Sequence, residues 1–123
     1  LLTEIRIPVW QEARIGTGFH ETATRQGDFA IVAAAAQVAL ADDGTIKRAA
    51  ISVGGAAPSP IKLSALESAL SGNAADGLDA MIELVDEAID PDTDVHATAE
   101  YRRRVTRKLV SRAIEDAIAE AGK

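Results

Sequence analysis

The sequence contains no cysteine and very few aromatic residues. Without cysteine, the chain has no disulfide, no thiolate ligand for zinc or an iron–sulfur cluster, and no cysteine nucleophile. Aromatic side chains make up 3% of the residues, so the core has to come from Ile, Leu, Val and many alanines. With 123 residues, we expect one closely packed domain that buries ~65% of the surface of its unfolded chain.

Basic residues are scarce relative to acidic ones. The 13 Lys and Arg residues against 19 Asp and Glu residues give a formal net charge of −6. That charge argues against a general binder of nucleic acid or acidic membranes, because those surfaces are held by clustered cations. No apolar run reaches about 18 residues and no charged signal-peptide start is present, so a cytoplasmic location is the default expectation. Residue 1 is Leu rather than Met, as expected of a fragment or a processed piece.

The most regular pattern runs from Arg25 to Gly55 and predicts two paired strands. Between them, Asp42-Asp43-Gly44 suits a type I turn followed by a left-handed glycine, a three-residue hairpin loop. The tract from Phe29 to Ala36 is rich in alanine, and a helix is the rival there because alanine favours helices over strands. We favour a strand, since Val32 and Val38 lie on one side of a period-2 pattern that ends at the turn.

Shorter patterns predict the elements before and after this hairpin. Thr3 to Pro8 alternates like a half-buried strand, and Phe19 to Arg25 alternates loosely and is predicted to be another. Val9 to Gly18 is predicted to be a loop, in which Trp10 either anchors the loop by burying its ring or stacks on a ligand. We expect Thr45 to open the return strand of the hairpin.

Three helices are predicted in the second half of the chain. The first spans about Ala65 to Ser71, with a capping box formed by Ser64 and Glu67. The second spans about Asp76 to Ile89 and the third about Ala97 to Ala121, both with apolar residues at helical spacing. The fold class is therefore α+β, an antiparallel sheet of three to four strands packed against three helices. The predicted buried stripe of the last helix is Tyr101, Val105, Leu109, Ala113, Ile114, Ala117, Ile118 and Ala121.

The charges of the last helix are arranged against its dipole. Its first half is basic and its second half acidic, whereas a helix dipole favours acidic residues first and basic residues last. One interpretation is a solvated face. The alternative is a docking surface for an acidic patch on another subunit, because arginines both pack and form bidentate contacts. The basic block consists of Arg102, Arg103, Arg104, Arg107, Lys108 and Arg112.

The sequence does not specify a self-sufficient active site. Gly54-Gly55 lacks the spacing of a phosphate-binding loop, and no Ser-His-Asp order or HExxH motif is present. The acidic stretch Asp90 to Asp94 lacks the glycine and the spacing of a calcium loop, so we expect a capped turn. The two histidines are His20 and His96, and we expect His96 to be a surface or capping residue rather than a metal ligand.

Several stretches of the chain resemble one family in the correct order. GDFAIVAAAAQVALADDGTIKRAAISVGGAAPSPIK, from Gly27 to Lys62, resembles the C-terminal domain of the FAD-carrying medium subunit of molybdenum hydroxylases. This is the carbon monoxide dehydrogenase and xanthine dehydrogenase group. Leu2 to Pro8 resembles the start of that domain, whereas Asp90-Pro91, Asp94 and Ala99 to Arg103 resemble the start of its last helix.

The resemblance implies a non-catalytic domain of an oxidoreductase complex. In that family the N-terminal half of the flavin subunit supplies the glycine-rich motifs for FAD, and these motifs are absent here, so FAD would be shared with that half. The domain would close over the flavin and help to assemble the subunit with a 2Fe-2S small subunit and a molybdopterin large subunit. Electrons would pass from molybdenum through the iron–sulfur clusters to FAD.

The resemblance also points to cofactor-side residues. The segment from Phe19 to Asp28 matches the family region near the flavin ring, where members carry Lys or another polar residue at the position of His20. The expected cofactor-binding residues are therefore His20, Arg25 and Asp28. Alternatively, His20 is an ordinary strand residue facing water, and Arg25 and Asp28 fix the loop through each other or the backbone. The rival function is a small cytoplasmic interaction module without a redox role.

Overall fold

The computed structural model describes residues 1–74 and 77–123. Its four-stranded antiparallel sheet has the order β1-β2-β3-β4. The core lies between one face of this sheet and the helices, so the α+β prediction is confirmed. The strands are β1 Ile15–Thr22, β2 Val32–Leu40, β3 Ile46–Gly54 and β4 Ile61–Lys62, and the helices are α1 Ser64–Leu70, α2 Leu78–Met81, α3 Glu83–Ala88 and α4 Ala99–Ala121.

The predicted hairpin forms β2 and β3, and its turn is confirmed. Gly44 has a φ of +84°, and its N–H donates to the carbonyl of Ala41 at 3.0 Å. Alternate residues of the alanine-rich tract are buried from Val32 to Val38, as expected of a strand with one covered face. The return strand begins at Ile46, one residue later than predicted.

The prediction of a strand from Thr3 to Pro8 is wrong. These residues have no regular secondary structure, and Ile5 and Ile7 remain 72% and 81% exposed. No strand of the described residues pairs with this segment, and an alternating sequence cannot form a ladder without a partner. The first strand of the sheet is β1, which begins inside the predicted Val9–Gly18 loop and ends before Arg25.

Trp10 anchors the loop before β1, in line with the first interpretation. The guanidinium carbon of Arg48, on β3, lies 4.0 Å from the centroid of the Trp10 ring. Such a stacked arginine attracts the ring through its quadrupole. The contact ties the loop to the sheet.

The predicted capping box of α1 is wrong, although the helix is correctly placed. No side chain caps its start. The Glu67 carboxylate instead accepts the backbone N–H of Ile51 at 2.8 Å and lies 3.1 Å from the Lys62 ammonium. Glu67 therefore joins α1 to the sheet, because a tertiary donor competes successfully with the local cap.

The second predicted helix is interrupted. Ile82 separates α2 from α3 but keeps helical dihedral angles (φ −66°, ψ −22°). The pair α2 and α3 therefore takes the place of the second of the three predicted helices. The predicted start at Asp76 lies outside the described residues. The last helix starts at Ala99 rather than Ala97, because the Thr98 side chain accepts the N–H of Tyr101 and caps it.

The long helix α4 lies directly against β1. A Cβ atom on Gly16 would overlap the carbonyl oxygen of Ala117, and one on Gly18 would overlap that of Ala113. The two glycines therefore allow the helix backbone to touch the strand. No helix in the described part of the chain is long and apolar enough to cross a membrane.

The buried stripe of α4 differs from the prediction in its first two turns. Arg102 and Thr106 are buried there, while Tyr101 and Val105 are half-buried. The rest of the predicted stripe is buried, apart from a half-buried Ile118. The shift arises because the first turns of α4 face loop backbone, which offers hydrogen-bond acceptors rather than apolar surface.

We predict that Gly18→Ala lowers the free energy of unfolding by ~1–3 kcal/mol or more, because overpacking forces backbone atoms apart. The matched control is Gly54→Ala, since a Cβ there meets nothing within 4 Å. Urea denaturation of both variants measures the difference. Equal midpoints for the two variants would contradict the close contact between α4 and β1.

Candidate functional site

The face of the sheet opposite the helices is open. Strand pairing places Phe19 beside Ala35 and Ala35 beside Ser52, so side chains at these positions share one face, as do Thr17, Gln37 and Ala50. We call this surface the open face. It is lined by Thr17, Phe19, Ala35, Gln37, Ala50 and Ser52, which border a cavity of about 590 Å³.

The floor and the rim of the open face differ in their side chains. Its centre is made of small side chains, so a flat molecule can approach the strand backbone closely. Phe19 stands at one side and is 62% exposed, while the Lys62–Glu67 ion pair lies at the other. Gln37 adds an amide that both donates and accepts hydrogen bonds. These properties suit a flat aromatic ring or the apolar surface of another domain.

Arg102 does not belong to a solvated basic face, because its side chain is buried. It is 8% exposed, and its Nη1 donates to the carbonyls of Ile31 at 2.6 Å and Gly55 at 2.9 Å. Its Nη2 donates to the Asp94 carboxylate at 2.8 Å. We call these four residues the Arg102 cluster. It joins α4 to the loops that precede β2, follow β3 and precede α4.

Asp94 is held in its ionised form. Its carboxylate accepts the backbone N–H groups of Ala97 at 3.0 Å and His96 at 2.9 Å. These two donors, and then Arg102, lower the pKa of Asp94 to about 2. The acidic stretch is thus the capped turn that was predicted, and His96 is exposed there.

The three predicted cofactor-side residues lie along the end of β1 and the loop after it. His20 is on the helix-facing side, where its Nε2 lies 2.8 Å from the Asp116 carboxylate. Arg25 and Asp28 share a turn, in which the Asp28 N–H donates to the Arg25 carbonyl at 3.2 Å. This turn fixes the loop through the backbone. The cofactor role of the three residues stays a prediction.

A second cavity, of about 540 Å³, adjoins this loop and includes Asp28, His96 and Arg102 in its lining. Phe29 also borders it and is 101% exposed. The strand predicted over the tract from Phe29 to Ala36 begins only at Val32, so Phe29 lies in the loop before it.

Two further arginines of the basic block are bound within the domain. Arg103 Nη1 donates to the backbone carbonyl of Asp86 at 3.0 Å, and Arg107 Nη1 lies 3.1 Å from the carboxylate of the same residue. They join α3 to α4. The hypothesis that the whole block faces a partner is therefore wrong for Arg102, Arg103 and Arg107.

Comparison with known protein families shows which family the chain belongs to. Residues 17–117 match the model of the CO dehydrogenase flavoprotein C-terminal domain. The chain belongs to this family. The matched range begins in β1 and ends within α4, so it includes the sheet, the open face and the Arg102 cluster.

Named relatives extend the comparison. The chain is 32% identical over 123 residues to 6-hydroxypseudooxynicotine dehydrogenase complex subunit alpha of Paenarthrobacter nicotinovorans, covering 98% of this chain and 41% of the relative. It is 39% identical over 116 residues to caffeine dehydrogenase subunit beta of Pseudomonas sp. (strain CBB1), covering 93% and 39%. The chain therefore spans about two fifths of the length of these family members.

Solved structures show the same fold. Reconstituted CO dehydrogenase from Oligotropha carboxidovorans superimposes with a TM-score of 0.82 at 26% identity, over 94% of this chain and 40% of that chain. Quinoline 2-oxidoreductase from Pseudomonas putida 86 gives 0.81 at 25% identity, over 89% and 39%. The flavoprotein C-terminal domain is thus confirmed as the family, and the interaction module without that kinship is the weaker hypothesis.

We predict that Asp94→Asn lowers the urea midpoint at neutral pH. A carboxyl group with a depressed pKa stabilises the fold above its unfolded pKa, and that contribution is lost as the pH falls through its folded pKa. The parent should therefore lose stability between about pH 4 and about pH 2 through Asp94, and the variant should lose less over that range. Asp92→Asn, in the same loop, is the control. Parallel pH profiles for the parent and Asp94→Asn would contradict the role of the Arg102 cluster.

Proposed function

We propose that this chain is the C-terminal part of the FAD-carrying subunit of a molybdenum hydroxylase, where it covers the flavin and helps to assemble the complex. The family match to the flavoprotein C-terminal domain carries the proposal. The relatives named as subunits of dehydrogenase complexes support it. We propose that its own contribution is to bind and position the flavin.

The open face fits the flat part of a flavin. Ala35, Ala50 and Ser52 present small side chains, so an aromatic ring system can lie close to them. Gln37 can pair with the donors and acceptors at the edge of such a ring. The pyrophosphate fits less well, since no glycine-rich loop leads into a helix start within the described residues. We therefore propose that FAD is held chiefly by an N-terminal domain outside this sequence.

The exposed N-terminal segment supports contact with that domain. Leu2, Ile5, Ile7 and Val9 are each more than two thirds exposed, although their alternation is typical of a half-buried strand. We propose that the N-terminal FAD-binding domain supplies the missing partner for this segment.

The partner and cofactor assignments follow from the same proposal. A 2Fe-2S small subunit and a molybdopterin large subunit would complete the complex, in the cytoplasm. When bound, FAD supplies the electron-accepting chemistry, and this chain excludes water from it and orients it. His20, Arg25 and Asp28 remain the proposed cofactor-side residues. Because His20 lies on the helix-facing side of the sheet, they define a flavin position at the end of β1 that is an alternative to the open face, and the two variants below distinguish these positions.

Purification of the complete protein from its native source tests the assignment as a whole. We expect flavin, molybdenum and iron–sulfur subunits to co-purify with it. A colourless monomer without partner subunits would contradict the proposal.

We predict that Ala35→Trp lowers the flavin content of the purified complete subunit, because the indole fills the floor of the open face. The control is Ala119→Trp, at an exposed position of α4 on the other side of the sheet. Absorbance gives the flavin content per subunit, and circular dichroism confirms that both variants fold. Equal flavin content in the two variants would show that the open face does not cover the flavin.

We predict that His20→Ala lowers the flavin reduction potential or slows flavin reoxidation in the complete subunit, with little loss of fold stability. The reason is that a hydrogen-bonding or cationic side chain near a reduced flavin stabilises its negative charge. Asp116→Asn serves as a control, because it removes the carboxylate that His20 contacts and keeps the imidazole. If potential and reoxidation match the parent in His20→Ala, the residue is not a flavin contact.

A further inference from the structure

Three cations of α4 form a continuous stripe on its exposed side. Arg104, Lys108 and Arg112 are spaced four residues apart, so they lie one above another on the helix surface. All three are exposed. They border a groove of about 390 Å³ whose opposite wall is Glu21 and Thr22 of β1. We call Arg104, Lys108 and Arg112 the basic stripe.

The basic stripe is chemically different from the rest of the basic block. Arg102, Arg103 and Arg107 are bound to groups within the domain, as described above. None of the ion pairs formed by the described residues includes a member of the stripe. The guanidinium carbon of Arg104 lies 5.6 Å from the centroid of the Tyr101 ring. This contact does not neutralise the positive charge of Arg104.

This arrangement is unfavourable for the isolated helix. Like charges four residues apart repel each other on a helix surface. The stripe also begins in the second turn of α4, near the positive end of the helix dipole. Glu100 and Asp116 lie one helical turn beyond the two ends of the stripe, and Glu21 borders the groove, yet no ion pair among the described residues joins a carboxylate to the stripe. A carboxylate-bearing partner would relieve the repulsion that remains among the three cations.

We propose that the basic stripe docks on an acidic surface of another protein subunit, whose carboxylates follow the stripe at the spacing of one helical turn. Half-buried Val105 would supply apolar contact beside the ion pairs. The overall charge of −6 disfavours the phosphates of nucleic acid and anionic lipids as the partner. The existence of a second subunit rests on the proposed function, whereas the surface used for docking does not.

Zero-length carbodiimide cross-linking of the purified complex tests the contact directly. This reagent joins an amine to a carboxylate that already touches it, so Lys108 should become linked to Asp or Glu residues of a partner subunit. In Lys108→Arg the complex should persist while this cross-link disappears, because the charge remains and the amine is lost. Links from Lys108 only to carboxylates of its own chain would overturn the proposal.

Charge reversal tests the energetic role. In R104E/K108E/R112E, we expect the affinity for the partner subunit to fall about tenfold or more at about 0.15 M salt, and the loss to shrink at higher salt. Lys123→Glu, at an exposed position beyond the end of α4, is the control and should assemble normally. Circular dichroism verifies folding of each variant.

The outcomes separate this inference from the proposed function. If partner subunits co-purify, R104E/K108E/R112E assembles normally and Lys108 forms no cross-link to a partner, the docking surface is wrong and the proposed function stands. If the parent binds anionic vesicles or nucleic acid through the stripe and the subunits assemble without it, the partner class is wrong. If the parent purifies without any partner subunit, both proposals fail.

Discussion

The close contact between α4 and β1 is the constraint on which the rest of the structure depends. Gly16 and Gly18 remove the side chains that would otherwise separate the helix from the strand, and the carbonyls of Ala113 and Ala117 occupy that space. Because α4 also packs on β2, this single contact places the longest helix on one side of the sheet. The core then fills from that side with small and branched side chains, as the low aromatic content requires.

Covering one side of the sheet leaves the other side available. The alanines of β2 alternate between the two faces, so one half of them packs under α4 and the other half forms the floor of the open face. The same alanine-rich strand therefore serves stability and contact. The Arg102 cluster has a comparable double role, since one buried cation satisfies loop carbonyls and a carboxylate while fixing the loops that border the second cavity.

The sequence predicted the elements whose structure is decided locally. The turn at Gly44 follows from glycine chemistry, and the strand through Val32 and Val38 follows from alternation. Predictions failed where a distant residue decides the outcome. Glu67 does not cap α1, because its carboxylate accepts the N–H of Ile51. Thr3–Pro8 forms no strand, because no strand of the described residues pairs with it.

The sequence could not predict which arginine is buried or which face of the sheet is exposed. Nothing in the run of basic residues distinguishes Arg102, which meets two carbonyls and a carboxylate, from Arg104, which faces solvent. The open face depends on where the helices pack, which is a property of the whole fold. Gln37, a polar residue in an otherwise apolar strand, was the one local signal that this face differs from the core.

Because the chain lacks cysteine, thiol labelling can test whether the flavin of the complete subunit lies against the open face. Single cysteines would replace Ser52 on the open face and Ala119 on the outer side of α4, both of which are exposed here. The labelling rate of each would be measured in this chain and in the complete subunit. We expect the cysteine at position 52 to be labelled quickly in this chain and slowly in the complete subunit, and the cysteine at position 119 to be labelled at the same rate in both. Equal labelling rates at position 52 in both proteins would contradict it.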